Sequence, residues 1–324
     1  MKKKVLAPDE STEIHEVINE FIFHCQYEKN LSPKTITAYK IDLKQFESYL
    51  ASVEYMDNID NVSKSMIKHY LQHLADFKPK TIKRKIAALK ALFKHYEFEH
   101  DNFINPFRKM NIQIKEPFLL PTVMNTNEIK MILTQLYKER ITNRYTDNYT
   151  YKAQTRNIAI IELLFATGMR VSELCDLKCN DIDFTQGTIK IFGKGSKERI
   201  IQICSKDVLN ILRSYYHLFH PDTYFFINRL GNQISAQSVR LLVKKCAKSV
   251  NLTKHITPHT FRHTFATLLL EEDVDIKYIQ NLLGHSSILT TQIYTHVNSN
   301  KLMQILSTKH PRKKINITDL KLPI

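Results

Sequence analysis

A histidine and an arginine occur close together in the segment Thr-Pro-His-Thr-Phe-Arg-His, which begins at Thr257. Threonine is a common helix N-cap and Pro258 suits the first helical turn, so a helix is predicted to start here. His259 and Arg262 then share one face at a helix N-terminus, which favours phosphate binding. A structural role is the simpler interpretation of His259 alone. A metal site at His259 and His263 is less favoured, because the glutamate of a zinc-protease motif is missing.

A second charged pair, Arg170 and Glu173, lies in the segment Ala-Thr-Gly-Met-Arg-Val-Ser-Glu-Leu. Gly168 suits the left-handed end of the preceding helix. Arg170 then opens a short helix, and Glu173 lies one turn later, where it can hold the guanidinium in place. Taken by itself, the pair could also be an ordinary surface salt bridge.

The segment from Gly193 to Arg199 reads Gly-Lys-Gly-Ser-Lys-Glu-Arg. Its spacing does not match a P-loop, and it lies between two predicted strands rather than between a strand and a helix. ATP binding is therefore not expected. A lysine such as Lys194 at a hairpin tip could instead reach a DNA groove and give a proton to a leaving oxygen.

A tyrosine, Tyr294, follows nine residues after His285 in the fourth segment, which begins Leu-Leu-Gly-His. Gly284 is predicted to end a helix, so that His285 stands at the break. The chain has 15 tyrosines, so packing in a core is an alternative explanation for Tyr294.

Helices and one hairpin are expected to position these residues. The strands are predicted over 187–192 and 199–203, and an apolar helix over 157–165. The remaining helices of this half are predicted from residue 126 onward and over 206–219, 235–250, 258–271, 275–283 and 287–297.

Residues 12–97 are predicted to form four helices, the second opening at Ser32 and Pro33. The fourth has one apolar stripe, and its other faces are basic, with the side chains of Lys80, Lys83, Arg84, Lys85, Lys90 and Lys94. Prolines and lost periodicity then indicate a linker. The predicted divisions are 1–107, a helical domain; 108–125, the linker; 126–310, a mixed domain; and 311–324, a tail.

The net charge of +15, from 47 Lys and Arg against 32 Asp and Glu, predicts a polyanionic partner. Nucleic acid is favoured over anionic lipid because no amphipathic surface helix is evident. No apolar run predicts a membrane span or signal peptide, so a cytoplasmic protein is expected. The five cysteines form no zinc-binding pattern, and neither a metal nor a cofactor is expected.

Taken together and in this order, the four segments resemble the tyrosine recombinase family, specifically its Xer-type and phage-integrase-like members. The resemblance is strongest over residues 126–297, and the helical N-terminal part is similar to the family's core-binding domain. It implies a mainly α fold with a small antiparallel β-sheet. It also implies a two-domain clamp around duplex DNA, made of the helical core-binding domain and an α+β catalytic domain. The basic face of the fourth helix, from Lys80 to Lys94, is then expected to bind DNA.

The resemblance also implies a role for each matching residue. Tyr294 would attack the DNA phosphate and form a 3′-phosphotyrosine, with strands exchanged through a Holliday junction. Arg170, steadied by Glu173, and Arg262 would clamp the phosphate, and Lys194 would be the general acid. His259 would act in general acid–base roles or hold the phosphate, and His285 would hydrogen-bond a phosphoryl oxygen. The implied partner is double-stranded DNA with two inverted half-sites, bound by a homotetramer or by a heterotetramer with a related recombinase.

Other classes remain open from the sequence. A type IB topoisomerase-like enzyme would share the chemistry without a specific site, and a DNA-binding regulator would bind without cleaving. A metal-dependent nuclease would lose activity in EDTA. Two stretches depart from compact Xer-type proteins, namely residues 138–156 and the tail after Lys301. A tail helix over 300–307 is expected to dock on a neighbouring protomer through the exposed side chains of Leu302, Ile305 and Leu306.

Overall fold

Helices dominate the structure, a computed structural model that describes residues 13–54, 57–117, 121–143, 148–193, 198–284 and 305–315. Internal contacts divide the chain into two units, Met1–Leu119 and Leu120–Ile324. Each unit has its own apolar core.

Within its described residues, the N-terminal unit has four α-helices: α1 (Ile14–Phe23), α2 (Pro33–Tyr49), α3 (Lys64–His73) and α4 (Pro79–Glu99). Their starts follow from the sequence. The Ser32 hydroxyl accepts a hydrogen bond from the Thr35 backbone N–H at 3.3 Å, which caps α2. Pro33 and Pro79 occupy first helical turns, where a missing N–H costs nothing. The four predicted helices are confirmed.

The core of the N-terminal unit is formed by the apolar stripes of these helices, with Phe46 and Phe93 fully buried. Part of the predicted linker belongs to this core, because Met110, Ile112 and Ile114 pack against it. At the other end of that stretch, Met124 is buried in the core of the C-terminal unit. The apolar side chains of the predicted linker are therefore divided between the two cores.

Between residues 121 and 284, the described part of the C-terminal unit has seven α-helices: α5 (Thr126–Thr142), α6 (Asn148–Thr167), α7 (Val171–Asp176), α8 (Lys206–Phe219), α9 (Ala236–Ser249), α10 (Pro258–Glu271) and α11 (Ile276–Leu283). The second half of α6 is buried at the centre of the unit and is apolar except for Glu162 and Thr167. This helix begins nine residues earlier than predicted from Asn157, since its first turns are polar and lack an apolar stripe.

A small antiparallel sheet completes this unit, with the described strands β1 (Ile182–Asp183), β2 (Thr188–Phe192) and β3 (Glu198–Gln202) in that order. Ile189 of β2 pairs with Ile182 on one side and Ile201 on the other. Strands β2 and β3 are the two that were predicted. Strand β1 was not, because two residues are too few to show an alternating pattern. The predicted fold class, mainly α with a small antiparallel sheet, is confirmed.

The C-terminal segment packs on its own unit. Residues 305–309 are helical, and Leu306 and Ile315 are 1% and 2% exposed in the apolar core. The expectation that Leu306 is exposed and docks on a neighbouring protomer is therefore wrong, because this side chain is buried in the core of the C-terminal unit. Ile305 is half-buried against the same core, and Leu302 lies outside the described residues.

None of the helices in the described ranges is long and apolar enough to cross a membrane.

Candidate active site

Arg262 is buried at the start of α10, which begins where the sequence predicts. The Thr257 hydroxyl accepts a hydrogen bond from the Thr260 backbone N–H at 3.2 Å, capping the helix. The Arg262 guanidinium donates from Nη1 to the Gly168 carbonyl at 2.9 Å and from Nη2 to the Leu283 carbonyl at 2.7 Å. With 5% of its surface exposed, the arginine is held between two chain segments far apart in sequence.

Gly168 must be glycine for this arrangement. Its φ of +58° is left-handed, and a Cβ at this position would lie 2.6 Å from a ring carbon of Phe265. The chain therefore turns sharply against α10, which brings the Gly168 carbonyl to Arg262 and places Arg170 two residues further on.

Arg170 and Glu173 form the predicted contact at the start of α7. The Arg170 guanidinium donates from Nη1 to Oε1 of Glu173 at 2.8 Å, and the Arg170 backbone N–H donates to Oε2 at 2.8 Å. Nη2 of Arg170 also donates to the Gly284 carbonyl at 3.1 Å. The pair is more than a surface salt bridge, because the Glu173 side chain is only 4% exposed.

A further arginine, Arg199 of β3, contacts the same carboxylate. Its Nη1 and Nη2 donate to the two oxygens of Glu173 at 3.1 and 2.8 Å, and its Nε donates to the Leu282 carbonyl at 2.9 Å. Burial raises the pKa of Glu173, but the hydrogen bonds from Arg199 and Arg170 outweigh it and hold the pKa below its usual value. Glu173 is thus an anion at neutral pH.

The C-terminal end of α11 is the common anchor of these arginines. The consecutive carbonyls of Leu282, Leu283 and Gly284 accept hydrogen bonds from Arg199, Arg262 and Arg170 respectively. A helix C-terminus has carbonyls without helical partners and a partial negative charge, so it attracts cations. Gly284 itself has a φ of +62° and ends the helix as predicted.

The electrostatics of the site favour an anionic ligand. Burial and then the charge of Arg170 lower the pKa of Arg262 to about 10, which leaves it protonated at neutral pH. His259 is exposed, yet neighbouring protein atoms desolvate its ring. That desolvation, followed by the charges of His263, Arg262, Arg240 and Arg170, lowers the pKa of His259. A bound phosphate would relieve this repulsion among cations.

The structure brings together four of the predicted site residues, namely Arg170, Glu173, His259 and Arg262. The other three, Lys194, His285 and Tyr294, lie outside the described residues. Lys194 falls in the connection between β2 and β3, and His285 directly follows the arginine-bound end of α11.

Arg199 ends the Gly-Lys-Gly-Ser-Lys-Glu-Arg segment, and no role is predicted for it from the sequence. The signal was present in the strand pattern, because Arg199 and Ile201 occupy the same face of β3 and Ile201 is 1% exposed. A charged side chain on the inward face of a strand needs a buried partner, which here is Glu173.

The basic residues of α4 are mostly where the sequence predicts. Exposed side chains on this helix are Lys80, Lys83, Arg84, Lys90 and Lys94. The predicted exposed position is wrong for Lys85, which is 2% exposed and bonded to Asp42 and Gln45. Asp42 is itself buried and needs a counter-charge, which Lys85 of α4 provides by also being buried.

Comparison with known proteins places this geometry in a family. Residues 123–301 match the phage integrase family, and residues 18–99 match the N-terminal SAM-like domain of phage integrases. A tyrosine recombinase of Agathobacter rectalis is 44% identical over 300 residues, covering 91% of this chain and 96% of the relative. The tyrosine recombinase XerD of Staphylococcus saprophyticus is 34% identical over 308 residues, covering 91% and 99%.

Solved structures share the fold. A XerH site-specific recombinase bound to difH substrate in a pre-cleavage complex has a TM-score of 0.67 at 23% identity, covering 95% of this chain and 99% of that one. A lambda integrase tetramer bound to a Holliday junction has a TM-score of 0.67 at 18% identity, covering 87% and 77%. This chain belongs to the phage integrase family and is a tyrosine-type site-specific recombinase. The topoisomerase and regulator alternatives are not favoured by these relatives.

Proposed function

We propose that this recombinase cleaves and rejoins DNA through a covalent bond to Tyr294. The observation that carries the proposal is the convergence of Arg170 and Arg262 on the end of α11, beside His259. Two guanidinium groups held by one helix end, with a neutral histidine near them, suit a phosphodiester that gains negative charge during the reaction. Each well-placed donor supplies roughly 3–4 kcal/mol of transition-state stabilisation in such sites.

The proposed chemistry is a transesterification. The Tyr294 oxygen forms a bond to the scissile phosphorus and loses its proton, while the bond from phosphorus to the 5′ oxygen breaks. Lys194 gives a proton to that oxygen, His259 accepts the proton that Tyr294 loses, and His285 donates a hydrogen bond to a phosphoryl oxygen. The products are a 3′-phosphotyrosine and a free 5′ hydroxyl, whose attack on the ester reverses the step. Because the ester keeps the bond energy, joining needs no ATP.

The proposed partner is double-stranded DNA with two inverted half-sites, bound by four protomers as a homotetramer or with a related recombinase. The high positive charge supports a DNA partner, and the lambda integrase neighbour is a tetramer on a Holliday junction. Residues 1–107 would bind DNA through α4 and residues 126–310 would carry the chemistry, joined by 108–125 and followed by a tail, 311–324. The proposed location is the cytoplasm, where its DNA would be.

The first test replaces the nucleophile. A binding site is selected from random duplexes, and a nicked duplex of that site is used to trap covalent product. We expect Tyr294→Phe to bind this duplex with unchanged affinity and to form no covalent protein–DNA adduct on a denaturing gel. The control is Tyr27→Phe, because Tyr27 is 65% exposed in the N-terminal unit. Adduct formation by Tyr294→Phe would show that another residue attacks the phosphate.

A further inference from the structure

Arg199 is a nearly buried arginine that joins two structural elements, with only 11% of its side chain exposed. Its Nη1 and Nη2 contact Glu173 at the start of α7, while its Nε contacts the Leu282 carbonyl at the end of α11. The planar fork of arginine matches a carboxylate with two parallel bonds, which a lysine cannot do. The residue type is therefore matched to this bridging position.

The Glu173 carboxylate is fixed by donors on both oxygens. Oε1 accepts from Nη1 of Arg170 and Nη1 of Arg199, and Oε2 accepts from the Arg170 backbone N–H and Nη2 of Arg199. A carboxylate has about four lone-pair sites, so these bonds leave it little freedom to rotate. Removing Arg199 removes half of these donors, and Arg170 then lacks a rigid support.

The charges of these residues also indicate that Arg199 supports Arg170. Arg170 and Glu173 together carry no net charge, whereas Arg170, Glu173 and Arg199 together carry one positive charge. Arg199 therefore neutralises the carboxylate that orients Arg170 and leaves the Arg170 charge to oppose an anion. Arg199 also holds the Leu282 carbonyl, next to the Leu283 and Gly284 carbonyls that anchor Arg262 and Arg170.

We propose that Arg199 is a positioning residue for DNA cleavage. It holds Arg170 in place through Glu173, holds the end of α11 through Leu282, and does not itself contact the phosphate. The proposal rests on the proposed function, since it concerns the rate of the step that forms the phosphotyrosine.

The test compares Arg199→Met, Arg199→Lys, Glu173→Gln and the double variant Arg199→Met/Glu173→Gln. Single-turnover cleavage of the nicked duplex is followed at saturating protein, so that rate constant and final amplitude are separated from DNA affinity. A small misplacement of a catalytic group costs about 100-fold in rate, so Arg199→Met should slow cleavage by about that factor. Its DNA affinity and amplitude should stay near wild type, and Arg199→Lys should fall between.

The double variant tests the route of the effect. If Arg199 acts through Glu173, Arg199→Met/Glu173→Gln should be no slower than the slower single variant. The matched control is Arg213→Met, since Arg213 is an exposed arginine of α8 whose Nη2 donates to the Phe184 carbonyl at 2.6 Å. It should cleave at the wild-type rate.

Several outcomes would overturn the proposal. A wild-type rate for Arg199→Met would remove Arg199 from the reaction, and multiplied defects in the double variant would mean that it acts without Glu173. A reduced amplitude with an unchanged rate constant would show only a folding role. If Arg199→Met does not fold, a wild-type rate constant for Arg199→Lys would likewise remove Arg199 from the reaction. If wild-type protein and the Arg213→Met control form no adduct, the proposed function fails and this inference fails with it.

Discussion

At the residue scale, one carboxylate organises the charges of the site. Glu173 is shared by Arg170 and Arg199, while Arg262 relies on backbone carbonyls for its contacts in the described structure. Backbone carbonyls orient a guanidinium without cancelling its charge. The site therefore keeps a net positive charge although each arginine is held by acceptors, which is the condition for binding a phosphodiester tightly as it becomes more negative.

A general-acid role of Lys194 can be distinguished experimentally from a purely electrostatic effect of its positive charge. If Lys194 protonates the leaving oxygen, Lys194→Ala should slow cleavage by about 100-fold or more on normal DNA. A 5′-bridging phosphorothiolate leaves as a thiolate that needs no proton, so it should restore most of the rate. Single-turnover cleavage of both substrates is the measurement. Equal defects on the two substrates would exclude Lys194 as the acid.

His310 allows a prediction about pH. Its Nε2 donates to the Ala166 carbonyl at 2.7 Å and its Nδ1 accepts the Arg312 backbone N–H at 3.0 Å, which requires the neutral ring. Burial above all, with the charges of Arg312 and Lys313, lowers the pKa of His310 from 6.5 to about 4. The unfolded chain therefore binds this proton first as the pH falls.

The sign of the effect follows from this order of protonation. The contribution of His310 is fully present above pH 6.5 and is lost as the pH falls from 6.5 to about 4, a loss of about 3 kcal/mol. Urea unfolding of wild type across this range should show it. His310→Asn keeps an acceptor for the Arg312 N–H but cannot titrate, so its stability should be lower at pH 7 and change less with pH. If the free energy of unfolding changes equally with pH in wild type and in His310→Asn, His310 is not the group responsible.

At the element scale, the C-terminal segment is fixed by a buried ion pair. Arg312 donates from Nε and Nη2 to Glu162 of α6 at 2.7 and 2.8 Å, and their side chains are 2% and 0% exposed. Tyr137 of α5 also donates to Glu162, at 3.0 Å. Since α6 continues to Thr167, just before Gly168, this segment supports the helix from which the Arg170 turn emerges.

Breaking this pair from one side should be costly. Arg312→Met leaves Glu162 buried without its counter-charge, so it should lower the free energy of unfolding by about 3–5 kcal/mol. The double variant Arg312→Met/Glu162→Met removes both charges and should recover part of this loss. Lys313→Met, at an exposed neighbouring position, is the control and should change stability by less than about 0.5 kcal/mol in urea unfolding. If the double variant loses as much free energy of unfolding as the two single variants together, Arg312 and Glu162 do not stabilise the protein as an ion pair.

At the scale of the whole molecule, a charge of +15 cannot by itself distinguish a binding face from general attraction to DNA. The exposed basic side chains of α4 identify a candidate face, but several of them already have partners. Lys83 contacts Glu116 at 2.8 Å, and Arg84 and Lys85 contact Asp42. Lys80 and Lys94 are therefore the sharper probes of DNA binding.

Charge reversal at these positions should act on the salt dependence of binding. Lys80→Glu/Lys94→Glu should weaken DNA affinity and reduce the slope of log affinity against log salt by roughly 1 for each phosphate that is no longer neutralised. The matched control is Lys29→Glu/Lys68→Glu, which changes two exposed lysines on other parts of the same unit by the same total charge. Binding titrations from low to moderate salt provide the slopes. Equal changes in both variants would mean that α4 has no special role.

Much of the fold could be predicted because local signals and tertiary structure agree. Caps at Ser32 and Thr257 and the left-handed glycines Gly168 and Gly284 mark helix ends through contacts within a few residues. Strand β1 and the early start of α6 were missed, because neither has an apolar repeat of its own and both depend on packing.

The family and the catalytic candidates follow from the residue types of the motifs and their order along the chain. The acceptors that hold each charge follow from the packing of the folded protein. Arg262 is separated from the Gly168 carbonyl by 94 residues, and Arg199 from the Leu282 carbonyl by 83. The burial of Lys85 and Leu306 also depends on partners distant in sequence. Such contacts arise when separate segments are packed together, so no local pattern records them.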